Sequence, residues 1–537
     1  MNSLGRASAT IAAGTMISRV TGLLRTVVLV SVIGSVGSGA ADAFGLANQL
    51  PNSVFSLISV GILTAVIVPQ IVKASAQEDG GNAFISKLFT LGTVVLVATT
   101  ALATIAAPWL VRISAEAPPE QYALATAFAY WCLPQILFYG LYALLGEALN
   151  ARRVFGPFTW APVVNNVVSI IGFLALGAVF GETKTSVDGW TPEMIAGLGG
   201  TATLGIVMQA VVLLLFWRRT GLSLRPDFRW RGVGLGNVGK LAGWTLLMAV
   251  ASLTAGTIQG RIAYIASADG ASLATMQYAW LLYMLPYSII VLAIGTPYFT
   301  QISEHAAAGR HSEVLSDIGR SIRTLGFFLF AAVGAIVAAC IPLSRVFTNT
   351  AADSVAAALV LLAYLVGLIP LMVLFIVQRT FYAYDDTRTP FWFTLFQCVL
   401  IVAGAFVSLI LLNAGAIEIT ALAATIALSQ SIASTIQTIT ATWLLRRKIG
   451  GLRVKTWIPA LVRFAIAAVP SALAGRGAFL LLGGADGWTT SGVIAGVGGT
   501  AIIGIVSLIV YLALLAIMRA PELKVGADVL RKLIPGR

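Results

Sequence analysis

The stretch IAAGTMISRVTGLLRTVVLVSVIG, from Ile11 to Gly34, decides the fold class. It is apolar and long enough to cross a hydrocarbon core of about 30 Å as a helix, yet Arg19 and Arg25 lie in its interior. Each arginine at bilayer depth costs roughly 2.5 to 3.5 kcal/mol on insertion scales. A helix keeps such residues only where they face something wet. By the spacing of three and four residues, Ser18, Gly22 and Arg25 share one stripe, and Thr15, Arg19 and Gly22 the adjoining one. The segment thus predicts a helix with one polar face carrying two fixed positive charges.

The rest of the chain agrees with a membrane setting. Its 537 residues are 58% hydrophobic and only 10% charged, with a mean hydropathy of +0.91, whereas soluble proteins carry about 25% charged residues. Apolar segments recur near Val20, Ile58, Val97, Leu137, Ile170, Val207, Ala251, Ile289, Val333, Leu365, Ile401, Ala427, Ala468 and Ile505. Hydrocarbon offers no partner for backbone polar groups, so these about fourteen spans must be helices. The fold class is therefore an all-α integral membrane protein.

Basic residues cluster in alternate loops: Lys73 and Lys87; Arg152 and Arg153; Arg218 to Arg231; Arg310, Arg320 and Arg323; Arg379 and Arg388; Arg446 to Lys455; and Arg519 to Lys532. The intervening loops are nearly bare, with Arg112, Lys184 and Arg345 the main exceptions. The positive-inside rule places both termini in the cytoplasm. The net charge of +13 then reports topology and contact with anionic lipid. It does not report nucleic acid, because no basic cluster is interleaved with aromatics on a soluble domain.

Chemistry is sparse. Cys132, Cys340 and Cys398 stand alone in apolar stretches and read as buried, inert thiols. His305 and His311 read as solvated, without metal spacing. A removable signal peptide is not expected, since the first apolar run holds two arginines and no small-residue cleavage pattern. No Walker lysine, paired-histidine motif or serine elbow is present, and nothing calls for a cofactor or metal. An ion gradient, the membrane potential or downhill flow must supply any energy.

An internal repeat organises the spans. Leu50-Pro51-Asn52-Ser53-Val54 returns as Leu285-Pro286-Tyr287-Ser288-Ile289, 235 positions on, and Pro157-Phe158 returns as Pro390-Phe391, 233 positions on. The reading is two parallel six-helix lobes, 1–225 and 226–450, followed by a terminal helix pair with its tail, 451–537. Parallel repeats are a transporter architecture with the site between the halves. Pro51 and Pro286 predict kinks at matching places.

The polar candidates within spans are Arg19, Arg25, Asp42, Gln49, Asn52, Asn165, Asn166 and Arg261, with Glu147, Asn150, Gln378 and Arg379 nearer helix ends. Arg379 and Asn150 are open to a snorkelling or capping explanation, and Asn165 and Asn166 to interhelical hydrogen bonding. Asp42 could pair with an arginine of the first span, or the arginines could line a cavity. Bases outnumber acids among these groups, which points to an anionic substrate such as a phosphate or pyrophosphate.

Several segments resemble the MurJ (MviN) family of lipid II flippases. They are Ser18-Arg19-Val20-Thr21-Gly22 to Arg25, Ala41-Asp42-Ala43-Phe44 with Leu50-Pro51-Asn52, Leu149-Asn150-Ala151-Arg152-Arg153-Val154-Phe155-Gly156 with Ala161-Pro162 to Asn166, and Arg379-Thr380-Phe381-Tyr382-Ala383-Tyr384-Asp385-Asp386-Thr387-Arg388-Thr389-Pro390. The resemblance implies fourteen helices and a transporter of the multidrug/oligosaccharidyl-lipid/polysaccharide superfamily. Its cargo would be lipid II, the undecaprenyl-pyrophosphate-linked disaccharide-pentapeptide, moved across the cytoplasmic membrane. By motif, the family's essential arginines and aspartate fall on Arg19, Arg25 and Asp42, and the terminal pair would line a groove for the lipid tail. Besides lipid II and membrane lipid, cell-wall synthesis proteins are conceivable partners, and a monomer is expected.

The chain departs from the family where relatives carry arginines and a glutamate after Leu50-Pro51-Asn52; here stand Phe55, Ser56 and Val60. Tyr278 to Pro286 lacks the arginine that many relatives place before the proline, a gap Arg261 could fill. No acid lies between Lys240 and Asp269, against sodium coupling. Rival readings are a flippase for another polyprenyl-pyrophosphate glycan, a cation-coupled drug exporter of the same superfamily, and a membrane scaffold for cell-wall enzymes.

Overall fold

The computed structural model describes residues 3–59, 82–152, 154–220, 225–229 and 238–523, and no strand occurs among them. Lys73, Arg153, Arg231, Lys524, Arg531 and Lys532, which contribute to the topology reading, lie outside the described residues, as does Val60. Thirteen helical stretches are long and apolar enough to cross a membrane. The further span expected near Ile58 corresponds to a helix whose described part ends at Ile58.

The chain divides into two compact units, Met1–Ala268 and Asp269–Arg537. Unit 1 holds α1 (Ser3–Ile33), α2 (Gly39–Ile58), α3 (Asn82–Ile105), α4 (Ala107–Ser114), α5 (Pro119–Cys132), α6 (Gln135–Ala151), α7 (Phe155–Phe180), α8 (Pro192–Phe216) and α9 (Val238–Ala263). Unit 2 holds α10 (Leu273–Pro286), α11 (Ala293–Ala307), α12 (His311–Ala338), α13 (Cys340–Arg345), α14 (Ala351–Leu365), α15 (Leu368–Ala383), α16 (Arg388–Asn413), α17 (Leu422–Lys448), α18 (Val454–Leu481) and α19 (Val493–Ile517).

Local sequence sets the helix ends. Pro119 and Pro192 open α5 and α8 at positions where a missing N–H costs nothing. Thr350 accepts a hydrogen bond from the Asp353 amide at 3.1 Å while the Asp353 carboxylate accepts from the Thr350 amide at 3.2 Å, a reciprocal cap on α14. Gly34, just past α1, takes φ +77°, a left-handed conformation that a side chain would strain.

The same neighbours recur inside each unit. In unit 1, α2 packs on α5, α3 on α6, and α7 on α8; in unit 2, α10 packs on α14, α12 on α15, and α16 on α17. The short α4 begins at Ala107 and the short α13 at Cys340, again 233 positions apart. The break between α5 and α6 at Leu133 and Pro134 returns, at the same offset, between α14 and α15 at Val366 and Gly367. The packing boundary falls after Ala268, so α9, the seventh span, packs on α2 and α4 of unit 1. The terminal pair, α18 and α19, packs on α12, where Tyr511 Oη donates to the Phe327 carbonyl at 3.0 Å.

Three details differ from the sequence expectation. Pro51 lies within a helix that continues to Ile58, whereas α10 ends at Pro286 and Tyr287–Leu292 form a π-helical turn. The two prolines thus share a position but not a local geometry, since Pro51 is followed by α-helix to Ile58 and Pro286 directly by the wider turn. His305 is not simply solvated: Nδ1 lies 2.7 Å from Asp317 Oδ2 and Nε2 3.0 Å from Glu313 Oε2. His311 Nδ1 lies 2.8 Å from Tyr384 Oη. Arg345, an exception to the bare loops, is buried and donates to the carbonyls of Thr490, at 2.7 Å, and Thr348. The three cysteines are buried and free, as read.

Close packing of α7 on α8 depends on small residues. A side chain at Gly205 would collide with the Asn165 carboxamide and the Ser169 hydroxyl. Gly205→Leu should therefore cost about 1–3 kcal/mol by overpacking, read as a lowered thermal unfolding midpoint in detergent; an unchanged midpoint would contradict this packing.

Candidate functional site

Both arginines of the first span lie on α1. Arg19 is exposed and Arg25 half-buried, and neither has an ion-pair partner among the described residues. Asn166 of α7 is buried and meets the stripe of Ser18 and Gly22: its Nδ2 donates to the Ser18 carbonyl and to Thr21 Oγ1, both at 3.0 Å. Asn166 thus acts as the pin between α1 and α7. Its chain neighbour Asn165 donates through Nδ2 to Gln209 Oε1 of α8 at 3.1 Å. Such interhelical bonds are worth about 0.6 kcal/mol on average, and they orient the helix that carries the arginines.

Tyr139 of α6 joins α1 to α2. It lies within electrostatic reach of the Arg25 guanidinium, and its ring stacks on Phe55 of α2 at 5.8 Å between centroids. Gln49 and Asn52 precede Phe55 by six and three positions and are exposed. The α2 helix is held from behind by Gln135, whose Nε2 donates to Asn48 Oδ1 at 3.2 Å and to Thr203 Oγ1 at 3.0 Å. Sequence reasoning passed over Tyr139 and Gln135. Gln135 follows Pro134 in an otherwise apolar run, and that isolation was the available signal.

Asp42 is placed differently from the arginines. It is fully buried in the first turn of α2 and accepts a hydrogen bond from Ser267 Oγ at 2.5 Å. Gln121 of α5 donates to Ser267 Oγ and to the Gly39 carbonyl. Ser38 accepts from the Ala41 amide at 3.1 Å. The carboxylate therefore ties the start of α2 to α5 and to the chain after α9, and the ion pair with Arg19 or Arg25 considered from the sequence is not formed. A carboxylate at a helix N-terminus also meets the positive end of the helix dipole.

Arg261 is likewise engaged. Its Nη2 lies 3.4 Å from Glu116 Oε2, and Nη1 donates to the carbonyls of Arg112 and Ile113 at the end of α4. Its guanidinium braces α9 against α4 and is not a free anion receptor. Of the seven sequence candidates, Arg25 lies near Tyr139, Gln49 and Asn52 are exposed on α2, Arg19 lies elsewhere along α1, and Asp42, Asn166 and Arg261 hold helices together. No group of His, Cys, Asp and Glu suited to a metal occurs among the described residues.

Removing these anchors should affect the fold before any binding. Asp42→Ala strips the acceptor from a buried hydroxyl and should lower stability by about 1–3 kcal/mol, whereas Arg19→Ala should leave the detergent unfolding midpoint nearly unchanged. Equal losses in both variants would refute this division of roles.

Known proteins share this fold. Residues 31–490 match the family model described as "Lipid II flippase MurJ". A probable lipid II flippase MurJ of Rickettsia prowazekii is 26% identical over 405 residues, covering 72% of this chain and 74% of its own. The lipid II flippase MurJ of Burkholderia cenocepacia is also 26% identical over 405 residues, with 72% and 75% covered. Among solved structures, a lipid II flippase MurJ in an inward closed conformation superposes with a TM-score of 0.72 at 19% identity, covering 95% of this chain and 98% of that one. An inward-facing multidrug resistance MATE family transporter of the MOP superfamily gives 0.66 at 15% identity, covering 83% and 98%.

Proposed function

The chain belongs to the lipid II flippase MurJ family, and from that premise we propose that it carries undecaprenyl-pyrophosphate-linked disaccharide-pentapeptide from the inner to the outer leaflet of the cytoplasmic membrane. The family is one of multipass membrane transporters, so the chain is a transporter and not an enzyme.

The observation that carries the proposal within the family is the pair of α1 arginines left without carboxylates, Arg19 and Arg25. A guanidinium fork matches two phosphate oxygens at once, and the attraction strengthens where water is scarce. Arg25, Gln49 and Asn52 would meet the pyrophosphate and the first sugar, with Arg19 farther along the same helix. Asp42, Asn166 and Arg261 keep α1, α2 and α9 in position to do so. The sequence halves 1–225 and 226–450 would be the moving lobes, and 451–537 would guide the polyprenyl tail. Both termini would face the cytoplasm.

Alternating access is the mechanism this fold supports best. Solved structures sharing it include an inward closed lipid II flippase MurJ and inward-facing and outward-facing MATE family transporters. A pyrophosphate that neutralises the arginines removes their desolvation cost, so substrate binding itself would favour a state in which the site is shielded from water. The cationic site disfavours the drug-exporter reading, because cationic drugs call for acids at the same place.

In a strain that depends on this protein, Arg25→Ala and Arg19→Ala should each lower lipid II flipping at least tenfold while membrane insertion is retained, and Arg25→Lys should keep part of the activity. Depletion of the protein should build up lipid II on the inner leaflet, measured by labelling the outward-facing pool. Normal flipping by both alanine variants would overturn the assigned roles.

A further inference from the structure

A second cationic position lies within unit 2. Arg379 of α15 is half-buried and has no hydrogen bond or ion pair among the described residues. Its guanidinium carbon lies over the rings of Phe299 of α11, at 5.1 Å, and Phe375 of α15, at 5.3 Å. Tyr287, in the π-helical turn, meets the same Phe375 ring edge-on at 6.3 Å. Tyr382 follows Arg379 by three positions and so shares its helix face. Both tyrosine hydroxyls are within electrostatic reach of the guanidinium.

The donor inventory is lopsided. Arginine offers five N–H donors and no acceptor. Tyr382 Oη accepts from Gln378 Nε2 at 2.9 Å, which leaves its own proton to give. The Tyr287 hydroxyl has no partner among the described residues. Three donor groups thus converge with no protein acceptor, while aromatic faces support the plane of the fork. Wide π-helical turns recur at functional sites because they re-aim a side chain, and here the turn places Tyr287. The feature belongs to the second half alone: the repeat offset of 233 sets Gly146 at the matching place, where the Phe158 ring leaves no room for a side chain.

We propose that Arg379, Tyr287 and Tyr382 form a recognition site for the phosphate of an anionic lipid, one whose charge is not balanced within its own headgroup. Arg388, in the loop that follows, marks this end of α15 as cytoplasmic by the positive-inside rule, which counts bases and gives little weight to the two aspartates beside it, so the phosphate comes from the inner leaflet. Two sources share this chemistry, an anionic phospholipid headgroup and a polyprenyl pyrophosphate. The site is independent of the α1 arginines.

The test uses native mass spectrometry of the full-length protein titrated separately with phosphatidylglycerol, phosphatidylcholine and geranylgeranyl pyrophosphate. Arg379→Gln should weaken binding of at least one phosphate probe that wild type prefers to phosphatidylcholine by about tenfold, with Arg379→Lys intermediate and Tyr287→Phe losing less. Loss for phosphatidylglycerol alone assigns the site to the headgroup, and loss for the pyrophosphate alone assigns it to a polyprenyl carrier. Unchanged binding in Arg379→Gln, or an equal loss for phosphatidylcholine, would overturn the proposal. Should the glutamine variant unfold, Arg379→Lys carries the comparison, and full affinity there together with full affinity in Tyr287→Phe would overturn it. An Arg25→Ala control separates the two sites: its failure to affect pyrophosphate binding bears on the α1 reading and leaves the Arg379 result to stand by itself.

Discussion

A guanidinium held at membrane depth must have its charge and its five donors met by something, and much of the polar architecture follows from how each arginine meets that demand. Arg345 turns to loop carbonyls, Arg463 to the buried Glu522 at 2.6 Å, and Arg261 to Glu116 and a helix end. Arg19, Arg25 and Arg379 do none of these. Satisfied arginines act as struts, and an anion bound at an unsatisfied one would lower the energy of the protein as well as its own.

The struts explain why a polar face can persist on a helix that packs through small residues. α1 rests on α7 through Asn166, and α7 rests on α8 through Gly205 and the Asn165–Gln209 bond. Each bond is modest, but their direction fixes which side of α1 is turned away from its neighbours. The carboxylate of Asp42 is engaged by Ser267, and among the described residues no carboxylate pairs with the arginines of that face. Charge excess and orientation are therefore one property, produced by the same set of buried amides and hydroxyls.

Much of this was legible in the amino-acid order. The span positions follow from hydropathy alone, because lipid enforces helices wherever apolar runs are long enough. The stripe of Arg19 and Arg25 followed from periodicity, and Asn166 was readable as interhelical glue. Asp42 was not, since its partner Ser267 lies 225 positions away, and no local pattern announces a contact made by tertiary folding. Arg261 failed as a free cation for the same reason: Glu116 and the end of α4 meet it only in the folded unit. The aromatic frame of Arg379 needed coordinates too, because Phe299 and Tyr287 come from other helices and from a turn whose widening the proline alone did not specify.

The equal spacing of the landmarks carries a historical consequence. Ala107 to Pro157 and Cys340 to Pro390 are stretches of equal length, down to the interruption of each fourth span, whereas the interval between Pro51 and Pro286 is longer by two. If an ancestral gene was doubled, insertions and deletions since then have left no net trace across that middle stretch and have accumulated nearer the first hairpin of one copy. A helix cut at a fixed register tolerates changed side chains but not an added residue, which would rotate everything beyond it by about 100°. Drift in this molecule has been spent on substitution in the middle of each half and on length only outside it.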